Sequence, residues 1–120
     1  MKFCNYKDLK VWQKSMDLTI EIYDLIKYLP KAEAFIIADQ MKRAAISVPS
    51  NIAEGHGRST NKDFIKFLSI SRGSLLELET QTELCLRLGY INNAQSESLN
   101  CKIEEICKMI NGLIDFRSSL

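Results

Sequence analysis

Ser50, Glu54 and His56 bring a hydroxyl, a carboxylate and an imidazole within two helical turns of one another. A hydrolytic triad needs a base within hydrogen-bond reach of its nucleophile and a third group that orients the base. These three residues instead lie along one helical segment and its exit, and no Gly-x-Ser-x-Gly elbow surrounds Ser50. Gly55-His56-Gly57 is no phosphate loop either, since it lacks the Gly-Lys-Ser/Thr ending and a preceding strand. His56 reads as a solvated loop residue. Cys4, Cys85, Cys101 and Cys107 form no Cys-x-x-Cys pair, and the chain has one His. Zinc sites cluster such ligands at short spacing. The thiols are therefore expected to be ordinary core or surface groups. No catalytic residue, metal or cofactor is expected.

Charge layout is more informative. Arg43, Ser47, Ser50 and Glu54 recur at steps of four, three and four, which on a continuous helix makes a polar stripe. The stripe suits a ligand groove or a polar subunit seam. It equally suits a solvated face on which the serines satisfy backbone groups near Pro49. Between positions 42 and 72, Lys42, Arg43, Arg58, Lys62, Lys66 and Arg72 face only Glu54 and Asp63, a local +4. Between 73 and 105 the balance is −4. A basic end of this kind can track phosphates, pair with the acidic stretch of a neighbouring copy, or stay solvated. The whole chain carries only +1 over 120 residues, which excludes a strongly basic nucleic-acid coat.

Four helical segments must position these groups. The first runs from about Asp8 to Leu29 and stops at Pro30. The second lies between about Glu33 and Glu54. Pro49 should kink or break it, and Asn51 and Glu54 have the spacing of a restarting cap. The third starts at Thr60 and Asp63, carries a core stripe of Phe64, Leu68, Leu75, Leu78 and Cys85, and reaches Leu88 with Gly89 as cap. Gly73 sits mid-helix among serines, where close packing against another helix would offset its cost of about 1 kcal/mol. The fourth follows Asn92 and carries Leu99, Ile103, Ile106, Ile110 and Leu113 in a heptad-type seam. Short connections imply antiparallel neighbours. The fold class is all-α, an up-down-up-down four-helix bundle filling residues 1–120 as one domain. No apolar run nears the ~18 residues of a membrane span. Met1–Asp8 lacks the apolar segment of a signal peptide. A cytoplasmic protein without membrane contact is expected.

The first helix has two apolar faces. Leu9, Trp12, Met16, Ile20 and Tyr23 make one; Val11, Leu18, Ile22, Leu25 and Leu29 make the other. Leaving five such side chains wet forgoes on the order of 10 kcal/mol. Either the helix is central and buries both faces, or one face packs on a neighbouring protomer. A four-helix bundle has no central helix, so Val11, Leu18, Ile22, Leu25 and Leu29 are expected to form an oligomer interface.

The stretch Tyr6–Trp12 (YKDLKVW), the block Gln40–Gln81 (QMKRAAISVPSNIAEGHGRSTNKDFIKFLSISRGSLLELETQ) and the LGYI that follows carry a resemblance over nearly the whole chain. The sequence resembles the bacterial four-helix-bundle proteins encoded in intervening sequences of 23S ribosomal RNA genes. These are similar to the accessory variability determinant proteins of diversity-generating retroelements. The resemblance implies an antiparallel bundle assembled as a homopentamer, with no enzymatic activity. The retroelement relatives are basic, bind nucleic acid and contact a reverse transcriptase. Lys42, Arg43, Arg58, Lys62 and Lys66 fall at the corresponding basic positions. Two features depart from the pattern. Phe35-Ile36-Ile37-Ala38-Asp39 stands where relatives often read Phe-Gly-Leu-Thr before the Gln of the second helix, and the pI is near neutral.

The expectation is a non-enzymatic homo-oligomer that binds RNA or DNA weakly through basic residues. A protein–protein adaptor with no nucleic-acid role is the alternative.

Overall fold

The third and fourth helices begin on side chains that satisfy their loose backbone amides. The computed structural model describes residues 5–120, which form α1 (Lys10–Leu25), α2 (Ile37–His56), α3 (Asn61–Arg87) and α4 (Asn93–Ser118). Cys4 lies outside the described residues. Thr60 caps α3 by accepting from the Asp63 amide, and Asn92 and Gln95 make a reciprocal capping box on α4. After α3, Gly89 takes φ +78°. The Gly89 amide bonds to Leu86 and the Tyr90 amide to Cys85, which is the Schellman pattern. α2 starts at Ile37, four residues later than the expected start near Glu33. Lys31–Glu33 forms a short 3-10 turn instead, and no side chain caps Ile36, whose backbone sits at φ −120°, ψ −98°. Phe35 and Ile36 consequently stand outside the bundle.

The helices pack as sequential antiparallel neighbours in a rod of 49 × 21 × 20 Å. The predicted stripes of α3 and α4 enter the core and meet Met41, Val48 and Ile52 of α2; these three, with Leu68, Leu75, Leu78, Ile103 and Ile110, are sealed from solvent. α2 and α3 make the most extensive seam, and α1 and α4 the sparsest. The α1–α4 edge is crossed by the ion pairs Lys14–Glu105 and Lys102–Glu21 above an open groove.

Two expectations are corrected. α2 neither breaks nor restarts at Pro49 but runs unbroken to His56. Pro49 leaves the Ala45 carbonyl without its amide partner, and the Thr19 hydroxyl of α1 reaches that carbonyl at 3.1 Å. Asn51 is no cap; its amide donates back to the Ser47 carbonyl. Gly73 packs against nothing and faces open space. Gly55 is the glycine of close approach. A Cβ there would lie 2.6 Å from Phe67 Cβ and 2.9 Å from the Phe64 ring, so its absence lets the end of α2 settle onto α3.

The larger correction concerns α1. Val11, Leu18, Ile22, Leu25 and Leu29, expected at a subunit interface, are all buried inside this chain, with Leu18 at 1% exposure. Ser15 explains why. It is fully buried on the same face, its hydroxyl donating to the Val11 carbonyl. With Ser15 included, positions 11, 15, 18, 22, 25 and 29 alternate steps of four and three, the spacing of a bundle seam. The opposite face is the one left outside: Ile20 is 60% exposed, with Met16 and Tyr23 exposed beside it.

Candidate nucleic-acid interface

The polar stripe on α2 does not survive as one surface. Arg43 donates to Asp39 one turn back, and Glu54 accepts from Arg58. Ser47 turns into the α2–α3 seam, where its hydroxyl accepts from Ser74 and from Asn51. Beside it, the buried Ser71 hydroxyl donates to the Val48 carbonyl. The serine-rich middle of α3 thus serves the backbone around Pro49, and only Ser50 of the stripe is left to solvent without such a role.

The residues that could suggest hydrolysis are not assembled for it. Ser50 and His56 are six positions apart on one continuous helix, about 9 Å along its axis. The His56 ring instead meets the Phe64 ring edge-on, with centroids 5.8 Å apart. Among the described residues no three His, Cys, Asp or Glu side chains converge as a metal site. Cys85 is a core thiol that packs against Met41 sulfur, and burial together with Glu33 pushes it above the usual thiol range. Burial likewise raises Cys107, while Cys101 is exposed.

The six candidate cations divide into separate groups. Lys42 lies over the Tyr23 ring and Arg43 is paired with Asp39. Both are about 20 Å along α2 from its C-terminal end. Arg72 is half-buried and donates to Asn111 of α4. Arg58, Lys62 and Lys66 are exposed together where α2 turns into α3. That turn forms a cleft of about 510 Å³, lined by residues that include His56, Arg58, Thr60, Asn61, Phe64 and Arg117.

Arg117 is the residue sequence reading missed. It lies in the last turn of α4, and antiparallel order brings that turn beside the start of α3. Its guanidinium lies 4.9 Å over the Phe64 ring and donates to Asn61 Oδ1. Arg58 likewise lies 5.0 Å over the Phe67 ring. Alternating up-and-down topology, already legible, was the signal that could have placed Arg117 there.

The comparisons with known proteins agree with this architecture. No curated protein matches the chain. A solved structure from Bacteroides thetaiotaomicron VPI-5482, described as a protein with unknown function from the S23 ribosomal protein family, is similar at 32% identity with a TM-score of 0.81. The match covers 87% of this chain and 97% of that one. The 23S rRNA-intervening sequence protein model matches residues 7–112. With both the sequence model and the helical architecture in accord over nearly its full length, the chain belongs to the 23S rRNA-intervening sequence protein family.

Proposed function

We propose that the protein is a non-enzymatic, cytoplasmic homo-oligomer, a pentamer, that holds RNA or DNA weakly through surface cations. The observation that carries assembly is the row Met16, Ile20 and Tyr23 on the outer face of α1. Fully burying a side chain of this size is worth about 1.5–3 kcal/mol, so a second copy is the natural cover. Light scattering at micromolar concentration tests this. A multiple of the 13.7 kDa protomer is expected, reduced to one protomer by Ile20→Glu without loss of helicity. A wild-type monomer would overturn the assembly reading.

Nucleic-acid binding is supported by the exposed Arg58, Lys62 and Lys66. Three phosphate contacts give a log–log salt slope of about −2 to −3. Binding of a labelled single strand should fall along that slope and be lost in K62E/K66E. Absence of binding at low salt, or binding indifferent to those substitutions, defeats this part.

One feature favours the adaptor reading: Phe35 is 94% exposed, with Ile36 beside it. An apolar knob of this kind is a candidate anchor for a partner protein. Kinship with retroelement proteins makes a reverse transcriptase the partner class to test. Capture of such a partner that survives nuclease and is lost in Phe35→Ser would favour the adaptor over the nucleic-acid binder.

A further inference from the structure

We propose that the cleft at the α2–α3 turn is a phosphate site, with Arg58 and Arg117 as its two guanidinium arms. The arms come from parts of the chain far apart in sequence and are each seated on an aromatic ring. Arg58 lies 5.0 Å over Phe67, and Arg117 lies 4.9 Å over Phe64. Cation–π attraction to the ring holds a guanidinium in place and leaves N–H groups to donate, which suits paired hydrogen bonds to phosphate oxygens.

The fold takes trouble to build this pair. Gly55 lacks the Cβ that would collide with Phe67 Cβ and the Phe64 ring, so the end of α2 closes onto both residues. Asn61 Oδ1 then fixes one nitrogen of Arg117 at 2.8 Å. Arg117 Nε, although buried, has no hydrogen-bond partner among the described residues. The guanidinium is thus held in place with donor capacity unspent.

Glu54 is the counterweight. It accepts from Arg58 Nη2 at 2.8 Å and holds that arm while the cleft is empty. A phosphate must compete with this carboxylate, so affinity is modest and rises when the carboxylate is removed. The ligand class is a phosphate group, either free or as part of a nucleic-acid strand. Its assignment to a strand rests on the nucleic-acid reading above; the cleft itself does not.

The experiment is a titration of the whole protein with inorganic phosphate at constant ionic strength, balanced with chloride and followed by NMR. Shifts are expected at the Arg58 and Arg117 side-chain Nε–H signals and at the amides of residues 56–62. R58Q/R117Q should weaken phosphate at least tenfold. R58K and R117K, which keep charge but lose the planar fork, should weaken it severalfold. Glu54→Gln, which does not disturb either ring, should tighten it severalfold. The site is overturned if phosphate produces no shifts there, or if Glu54→Gln and both lysine variants bind as the wild type does.

A parallel titration with a single-stranded oligonucleotide separates this inference from the broader one. Phosphate binding that needs both arginines, without oligonucleotide binding, keeps the cleft and rejects the nucleic-acid function. Oligonucleotide binding that ignores both arginines, without phosphate binding, does the reverse.

Discussion

The Thr19 hydroxyl of α1 lies 3.1 Å from the Ala45 carbonyl of α2, the backbone acceptor that Pro49 leaves without an amide. Helix α2 runs on unbroken through its proline, and a neighbouring helix supplies the missing donor. Thr19 also reaches the Ser15 carbonyl at 2.8 Å, so one hydroxyl proton is shared between two helices. A buried carbonyl stripped of its partner costs about 1–3 kcal/mol.

Thr19→Val should accordingly lower stability by about that amount in chemical denaturation. In a Pro49→Ala background the new amide at position 49 takes over the carbonyl, and the same Thr19→Val change should cost distinctly less. The cycle should show coupling of about 1 kcal/mol. Strictly additive effects would mean that Thr19 does not compensate for the proline.

Gly55 and Gly73, two of the glycines inside helices, should respond with opposite sign to alanine. Gly55→Ala places a methyl 2.6 Å from Phe67 Cβ, an atom fixed to the backbone of α3. Overpacking of this kind costs about 1–3 kcal/mol, and the melting temperature should fall. Gly73→Ala meets nothing within 4 Å and should gain about 0.5–1 kcal/mol from helix propensity. A loss at Gly73 accompanied by a smaller assembly would mark its face as packed on another copy.

Leu18 and Ile20 are two positions apart and illustrate what a sequence can and cannot convey. Both are apolar on the same helix, and two apolar faces were plain from spacing alone. Spacing alone does not tell which face enters the core, because Ser15, a polar residue, completes the buried seam. Its hydroxyl is satisfied by its own helix at Val11, so it fills a small core position without an unmet donor. By contrast, Ile103, Ile106 and Ile110 on α4 are legible because the polar residue of their seam, Ser96, lies at its start and leaves the run from Leu99 to Ile110 apolar. The Arg58–Arg117 pairing was hidden for another reason. Each arginine is unremarkable locally, and only the antiparallel return of α4 brings the second one to the turn. The prediction that follows is a contrast at Leu18 and Ile20. Leu18→Ala should cost about 2–5 kcal/mol of folding stability, as core truncations do. Ile20→Ala should change protomer stability by less than about 0.5 kcal/mol and act on assembly instead. Equal losses at the two sites, measured under conditions that hold the protein monomeric, would reject this division of the faces.

Tyr90 ties the α3–α4 turn to the segment before α2, its hydroxyl donating to Glu33 at 3.1 Å. That hydrogen bond is the main cause that raises the Tyr90 pKa above its ordinary 10.0; desolvation and the Glu33 charge add to it. A neutral phenol can donate to the carboxylate, and a phenolate cannot. Because the folded value is raised, the tether contributes fully below about pH 10 and is lost as pH climbs through the folded value. Titration of the Tyr90 ring carbon by NMR should therefore give a midpoint above 10, and Glu33→Gln should bring it back down toward 10. Amide exchange at residues 31–36 should quicken over the same alkaline range in the wild type, and at neutral pH in Tyr90→Phe. A Tyr90 midpoint unmoved by Glu33→Gln would show that this carboxylate does not hold the phenol, and the segment bearing Phe35 would then owe its position to something else.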